Sequence, residues 1–171
     1  MSLSGCVRDI MKPLHSYPHV DADAPLREVF AILKERYDAT EQYRSVLVLD
    51  KNQGLIGKIS LHDLLRSLLP DHLLHIQTST LDAADSSLAA LAQRWQDKSD
   101  EHFQRVANYR AAYYAKRAAS PIAPDAPLTL AFFLFANADN NLIPVAEDGR
   151  IVGVLRAVDL LAAITKSIQH D

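Results

Sequence analysis

The feature that most constrains this chain is an internal duplication. The stretch Leu55-Ile-Gly-Lys-Ile-Ser-Leu-His-Asp-Leu-Leu65 returns in altered form as Ile151-Val-Gly-Val-Leu-Arg-Ala-Val-Asp-Leu-Leu161. Each copy has an apolar strand interrupted by one glycine, followed by a helix with an aspartate in its first turn. Two such units do not easily bury their apolar faces alone, so we expect them to pack against each other.

A second shared element supports the duplication. Asp23-Ala-Pro-Leu26 recurs letter for letter as Asp125-Ala-Pro-Leu128. After each copy, apolar residues follow at helical spacing and predict one buried helix stripe; they are Leu26, Val29, Phe30 and Leu33 in the first copy, and Leu128, Ala131, Phe132 and Phe135 in the second. In the last helix of the chain, we expect Leu160, Leu161 and Ile164 to point inward.

These patterns divide the chain into a first repeat over residues 7–69, an insert over 70–119 and a second repeat over 120–169. The insert has apolar residues near helical spacing among charged ones, which predicts one long or two shorter amphipathic helices; they include Leu88, Leu91, Trp95, Phe103 and Val106. Such an insert either packs within the molecule or forms a surface for a dimer or another partner.

Composition narrows the function classes. The net charge is −3, which does not favour a nucleic-acid partner. No apolar run approaches the length that spans a bilayer, and the N-terminus lacks the regions of a signal peptide, so we expect a cytoplasmic protein. His72 and His75 are three residues apart near Asp71, but zinc usually needs three or four ligands and no other cluster accompanies them. With only one cysteine as well, the sequence argues against a metal site. No nucleophile elbow or Walker loop is present, and we do not expect an enzyme.

Taken in order, these segments resemble the CBS (cystathionine β-synthase) domain, which nearly always occurs as a tandem pair. The resemblance rests on Val7-Arg-Asp-Ile-Met-Lys-Pro13, Asp23-Ala-Pro-Leu26, Ile143-Pro-Val145 and the two Gly…Asp-Leu-Leu segments. It covers both repeats and leaves the insert unexplained. It implies an α/β (α+β) fold in which two β-α-β-β-α units pack sheet to sheet. It also implies binding of an adenosine nucleotide or S-adenosylmethionine between the repeats, and regulation of a partner protein.

The family pattern Gly-x-x-Thr/Ser-x-x-Asp is complete in the first repeat as Gly57, Ser60 and Asp63. Glycine permits close approach, free amides at the helix N-terminus attract phosphate, and Ser60 adds a hydroxyl. Asp63 has two oxygens that can accept from both ribose hydroxyls. The alternative is that Ser60 and Asp63 only cap the helix.

The second repeat keeps Gly153 and Asp159 but has Arg156 in place of Thr or Ser. Arginine is a poor N-cap, so its presence needs another reason. The guanidinium either holds a phosphate, or pairs with Asp159 and fills the cleft, or lies exposed without a role.

Further contacts follow from the resemblance alone. It places Val20 and Ile122, together with Ile143 and Pro144, beside an adenine ring, although all four are also ordinary core residues. Arg44 is a further phosphate candidate, and a solvated surface charge is the alternative.

The sequence thus predicts a regulatory ligand-binding module that acts as a homodimer and needs no cofactor. Its ligand is AMP, ADP, ATP or S-adenosylmethionine, which favours one arrangement of the repeats and so changes the surface shown to a partner. The alternative is a ligand-free dimerisation or docking module that uses the helical insert.

Overall fold

A computed structural model describes residues 4–37, 43–74 and 86–169 of the chain. In chain order its elements are β1 (Lys12–Pro13), β2 (His19–Asp21), α1 (Leu26–Tyr37), β3 (Ser45–Leu49), β4 (Leu55–Ser60), α2 (Leu61–Ser67), α3 (Asp71–Leu74), α4 (Ser86–Val106), α5 (Leu128–Asn137), β5 (Leu142–Glu147), β6 (Arg150–Arg156) and α6 (Ala157–Gln169).

The strands form two small sheets, one for each repeat, in the orders β2-β3-β4 and β1-β6-β5. In the first sheet β2 runs parallel to β3, and β3 is antiparallel to β4. In the second, β5 is antiparallel to β6, and Ile122 forms a parallel bridge to Val145 at the position that corresponds to β2. The predicted mixed α/β fold is therefore confirmed.

The two hairpin turns differ in length and in what stabilises them. In the first, Asp50 Oδ1 accepts from the amides of Asn52 at 2.7 Å and Gly54 at 2.8 Å. In the second, Asp148 and Gly149 both have positive φ, at 50° and 76°, as a two-residue hairpin turn of type I′ requires. Both turns reverse the chain between antiparallel strands that carry the site residues.

The repeats exchange short segments of chain. The Lys12 backbone pairs with Val154 in β6, and the Val7 amide donates to the Ala126 carbonyl at 2.9 Å, so the N-terminal segment completes the second repeat. Residues 107–116 complete the first repeat in the same way. The Ala111 amide donates to the Ala24 carbonyl at 2.8 Å, and Lys58 and Lys116 exchange two backbone hydrogen bonds of 2.9 Å.

Buried apolar residues form three clusters. Two of them lie between a sheet and its own helices, and they include Val46 and Val48 in the first repeat and Ile143 and Val145 in the second. The third lies between the two sheets and draws on both repeats; it contains Tyr17, Tyr43, Leu47, Leu49, Leu142 and Val154. Alternate residues of one strand point to opposite faces, so each sheet contributes to two clusters.

The insert contains the short helix α3 and the 21-residue helix α4, while residues 75–85 of the insert lie outside the described ones. The division of the chain at residues 70 and 120 stays a prediction. One expectation for the second repeat was wrong, because Leu161 is 62% exposed while Leu160 is buried and Ile164 packs on the core. Phe132, a member of the predicted stripe of α5, is likewise 52% exposed.

Candidate functional site

Ser60 and Asp63 form a capping box at the start of α2. Ser60 Oγ accepts from the Asp63 amide at 3.1 Å, and Asp63 Oδ2 accepts from the Ser60 amide at 2.9 Å and from its hydroxyl at 2.6 Å. The cap satisfies backbone donors that the helix leaves unpaired. The capping interpretation of these two residues therefore has a geometric basis, and any ligand role is added to it.

Two lysines from different segments surround this cap. Lys116, in the exchanged segment, forms an ion pair with Asp63 Oδ1, and its side chain is 61% exposed while that of Asp63 is 8% exposed. Lys58, in β4, donates to Asn141 Oδ1 of the second repeat at 2.8 Å. We call the space between the repeats beside Lys58, Ser60, Asp63, Lys116 and Asn141 the first cleft.

The electrostatics of the first cleft favour an ionised carboxylate. Burial by itself raises the pKa of Asp63, but the hydrogen bonds from Lys116 and Ser60 outweigh burial and hold this pKa below its usual value. Burial lowers the pKa of Lys58, although the nearby Asp63 and Asp139 charges oppose this. The Lys58 ammonium is thus only partly compensated by the protein.

The conserved spacing of the two glycines has a structural cause. A Cβ on Gly57 would collide with the Lys116 carbonyl, and one on Gly153 would collide with that of Lys12. The close approach at each glycine is therefore made by an exchanged segment. The structure thus gives both glycines a packing role, and the place of Gly57 and Gly153 in a ligand site stays a prediction.

In the second repeat, Arg156 pairs with Asp159. Its Nε and Nη2 donate to the two carboxylate oxygens at 2.6 Å each, and the two side chains are only 14% and 16% exposed. Of the three alternatives for Arg156, the structure has the pairing with Asp159. Such a bidentate fork is a strong, directional interaction.

Aromatic rings of the first repeat cover this pair. The Arg156 guanidinium lies over the ring of Tyr43 at 5.2 Å, and Tyr43 packs edge-to-face on Tyr17 at 5.1 Å. The Tyr17 hydroxyl is 2.8 Å from Ser45 Oγ, and burial raises the pKa of Tyr17. We call the space occupied by Tyr17, Tyr43, Arg156 and Asp159 the second cleft, and protein side chains fill it.

The four residues expected beside an adenine are all buried. Val20 belongs to the core of the first repeat, and Ile122 and Ile143 belong to that of the second. Ile122 and Ile143 also line a largely apolar cavity of about 570 Å³ that extends to Ala119 and Asn140. Arg44 is exposed, and its carbonyl accepts from the Leu61 amide at 2.9 Å.

Sequence reasoning missed five residues of the clefts, namely Tyr17, Tyr43, Lys58, Lys116 and Asn141. A signal existed for Lys116, because Lys12 holds the equivalent position in the segment that completes the second repeat. The backbone carbonyl of each lysine lies against a glycine of the neighbouring strand. No comparable signal existed for the tyrosines, whose role depends on contacts between the repeats.

Neither a cluster of metal ligands nor a membrane-spanning helix is found within the described ranges. There, no group of three or more histidine, cysteine, aspartate or glutamate residues is arranged to hold a metal ion. None of the helices in these ranges combines the length and the apolar character that crossing a bilayer requires.

Comparison with known proteins identifies the family. The family model of the CBS domain matches residues 7–70 and 117–166. A comparison with curated proteins finds no match.

Solved structures with a similar fold include CBSX2 in complex with AMP, with a TM-score of 0.64, 16% identity, and coverage of 95% of this chain and 98% of that one. The CBS domain of a membrane protein from Sphaerobacter thermophilus gives 0.65 at 22% identity, covering 94% and 88%. A CBS domain-containing protein from Bacillus anthracis gives 0.66 at 19% identity, covering 95% and 94%.

At these identities the structural neighbours establish a shared fold, and the family model matches both halves of the sequence. CBS-domain proteins of this kind are generally regulatory, nucleotide-binding modules rather than enzymes. The chain belongs to the CBS domain family, with one CBS domain in each of its repeats.

Proposed function

We propose that the protein is a regulatory module that binds an adenosine-containing nucleotide in the first cleft and signals to a partner protein. The observation that carries this proposal is the combination of a buried, ionised Asp63 with the ammonium groups of Lys58 and Lys116. A carboxylate suits the two hydroxyls of a ribose, and two cations beside a helix N-terminus suit a phosphate.

The binding step exchanges partners at Asp63. A ribose that uses both carboxylate oxygens displaces Lys116, whose long and exposed side chain then turns to the phosphate. The positive charge of Lys58 is only partly compensated in the free protein, and Lys58 contacts the same phosphate. Because Lys116 lies in the segment between α4 and the second repeat, ligand binding favours one arrangement of that segment over another.

The charge of the cleft also ranks the ligands. AMP, ADP and ATP bring a phosphate to the two lysines, whereas S-adenosylmethionine brings a positively charged sulfonium. We therefore propose that the three phosphate-bearing nucleotides bind more tightly than S-adenosylmethionine. The proposal assigns no catalytic residue and no required cofactor.

Calorimetric titration of the purified chain with the four compounds tests this. Saturable binding of at least one nucleotide is expected, together with its loss in Asp63→Ala. Asp100→Ala removes the same charge from an exposed site on α4 and should bind as the wild type does. Thermal unfolding of each variant separates lost binding from lost folding.

A ligand-free docking module is the second candidate. It is favoured by the fact that protein side chains already occupy both Asp63 oxygens and fill the second cleft. Absence of binding for all four compounds would support it, and Trp95→Ala or Phe103→Ala on α4 should then weaken association with the partner.

We further propose that the module is a homodimer that joins through α5 and α6. Large apolar side chains of these helices are exposed, with Phe133 at 63% and Val158 and Leu161 at 61% and 62%. Helix α5 has no charged residue, so two copies can meet about a two-fold axis without opposing like charges.

The duplication offers a matched control for this interface. Phe133 corresponds to Ala31 on α1, which is also exposed but lies among charged residues. Sedimentation equilibrium should show a dimer for the wild type and Ala31→Glu, and a monomer for Phe133→Glu. A wild-type monomer, or an unchanged Phe133→Glu dimer, would contradict this interface.

A further inference from the structure

A polar cavity of about 330 Å³ lies away from both clefts, where the first repeat meets α4. Its walls are the end of α2, the short helix α3, the last turns of α4 and the segment that follows. The titratable residues among its lining are Arg66, Asp71, His102, Arg105, Tyr109 and Tyr114. Neither the sequence patterns nor the nucleotide proposal gives these residues a role.

His102 lines this cavity and has one ring nitrogen without a hydrogen-bond partner among the described residues. Its Nδ1 lies 2.9 Å from Nη2 of Arg105, and a guanidinium can only donate, so Nδ1 must accept. The proton of the neutral ring is therefore on Nε2. That atom is buried and has no hydrogen-bond partner among the described residues. A buried donor without an acceptor is unfavourable, and an acceptor placed in the cavity would remove this penalty.

The surroundings of His102 define the chemistry of that acceptor. Arg66 and Arg105 add two positive charges, and neither forms an ion pair with a described residue. Burial raises the pKa of Tyr114, so its hydroxyl keeps its proton and remains a donor. Asp71 contributes the one acidic group among the described lining residues, which leaves the lining with a net positive charge.

We propose that this cavity binds a small oxyanion of the phosphate class, held by the Nε2–H group of His102 and the guanidinium groups of Arg66 and Arg105. The anion bridges the first repeat, which supplies Arg66, and α4, which supplies the other two residues. The site is independent of the first cleft and assigns a binding function to the helical insert. A free phosphate ion and the phosphate group of a small metabolite would use the same donors.

Titration with inorganic phosphate at constant ionic strength tests the proposal. In the wild type, phosphate should shift the Nε2–H resonance of His102 saturably and raise the unfolding temperature. His102→Phe keeps the ring shape and removes the donor, and it should weaken phosphate stabilisation about tenfold. His62→Phe, at an exposed position on α2, should respond as the wild type does.

Two further variants make the result decisive. Arg66→Met changes an exposed residue, so we expect it to fold, and it should weaken the phosphate response even if His102→Phe fails to fold. Lys116→Ala changes the first cleft and should leave the His102 response intact, which separates this site from the nucleotide site. An unmoved His102 resonance, or an equal phosphate response in wild type and Arg66→Met, would overturn the proposal.

Discussion

The two clefts occupy equivalent places in the duplicated fold, yet different side chains surround the aspartate in each. In the first, Asp63 meets a serine and two lysines, and one of these lysines has an exposed side chain. In the second, Asp159 accepts hydrogen bonds from two nitrogens of Arg156, which lies beneath a tyrosine ring. Duplication therefore preserved the backbone geometry and the aspartate, while the neighbouring side chains determined which groups hold that aspartate.

The changes that separate the clefts are coordinated. Ser60 and Arg156 are equivalent, since they pair with Ser45 and Leu142 at the same register of their sheets. Two positions before those partners stand Tyr43 and Asn140, and it is the tyrosine that packs on Arg156. The arginine and the ring that covers it thus come from different repeats, so closing the second cleft required substitutions in both.

The largest expected effect separates the two aspartates. Asp63→Asn should weaken AMP binding by about 100-fold, because the carboxylate accepts charge-assisted hydrogen bonds that an amide replaces poorly. Asp159→Asn, the matched change in the closed cleft, should alter the affinity less than about threefold. Calorimetry on both variants measures this, and equal losses would mean that the second cleft also takes part.

The next effect concerns stability. Arg156→Ala leaves a largely buried Asp159 without its partner and should lower the free energy of unfolding by about 2 kcal/mol. The exposed Arg44→Ala is the control and should cost less than about 0.5 kcal/mol. Urea unfolding measures both free energies. An unchanged free energy of unfolding in Arg156→Ala would show that the ion pair does not hold the cleft closed.

A smaller effect is expected from the lysine that changes partner. Lys116→Ala should weaken AMP binding by about tenfold, as loss of one charge-assisted contact to phosphate would. Lys34→Ala on the exposed side of α1 removes the same charge elsewhere and should bind normally. If Lys116→Ala tightened binding instead, Lys116 would be a competitor for Asp63 and not a phosphate ligand.

The smallest effect is a pH dependence of stability. The pKa of Asp63 is lower in the folded protein than in the unfolded chain, so its contribution is complete above the unfolded pKa of about 4. As the pH falls through the folded pKa, this contribution is lost, because the unfolded state binds more protons. Between about pH 5 and pH 3, unfolding free energies should fall more steeply for the wild type than for Asp63→Asn. Parallel curves would contradict the depressed pKa.

Local patterns predicted much of this fold. Helices α1 and α5, the two hairpins and the aspartate at the start of α2 and α6 follow from periodicity, turn residues and the repeated motif. Leu161 and Phe132 were misplaced because helical spacing marks an apolar side chain without saying which neighbour covers it. The sequence spacing also placed Gly57, Ser60 and Asp63 together correctly at one strand-to-helix junction.

The parts that escaped prediction depend on contacts between distant segments. Residues 111–116 take the place that residues 7–12 take in the other repeat, but the two hexapeptides, Ala-Ala-Tyr-Tyr-Ala-Lys and Val-Arg-Asp-Ile-Met-Lys, share only their final lysine. Backbone pairing imposes little on side-chain identity, so such an equivalence leaves almost no pattern to detect. The shared lysine is the one trace that remains, and no such trace marks the cavity beside His102.

The exchanged segments also set an order for folding during synthesis. Lys12 must wait for Val154, which leaves the ribosome 142 residues later (154 minus 12), and the first repeat must wait for residues 107–116. Such long sequence separations slow folding, because the chain loses the entropy of loop closure before the stabilising contacts form. The second sheet therefore waits for β6 even though its first strand is made early, whereas the first sheet has all three of its strands within residues 19–60 and gains residues 107–116 later.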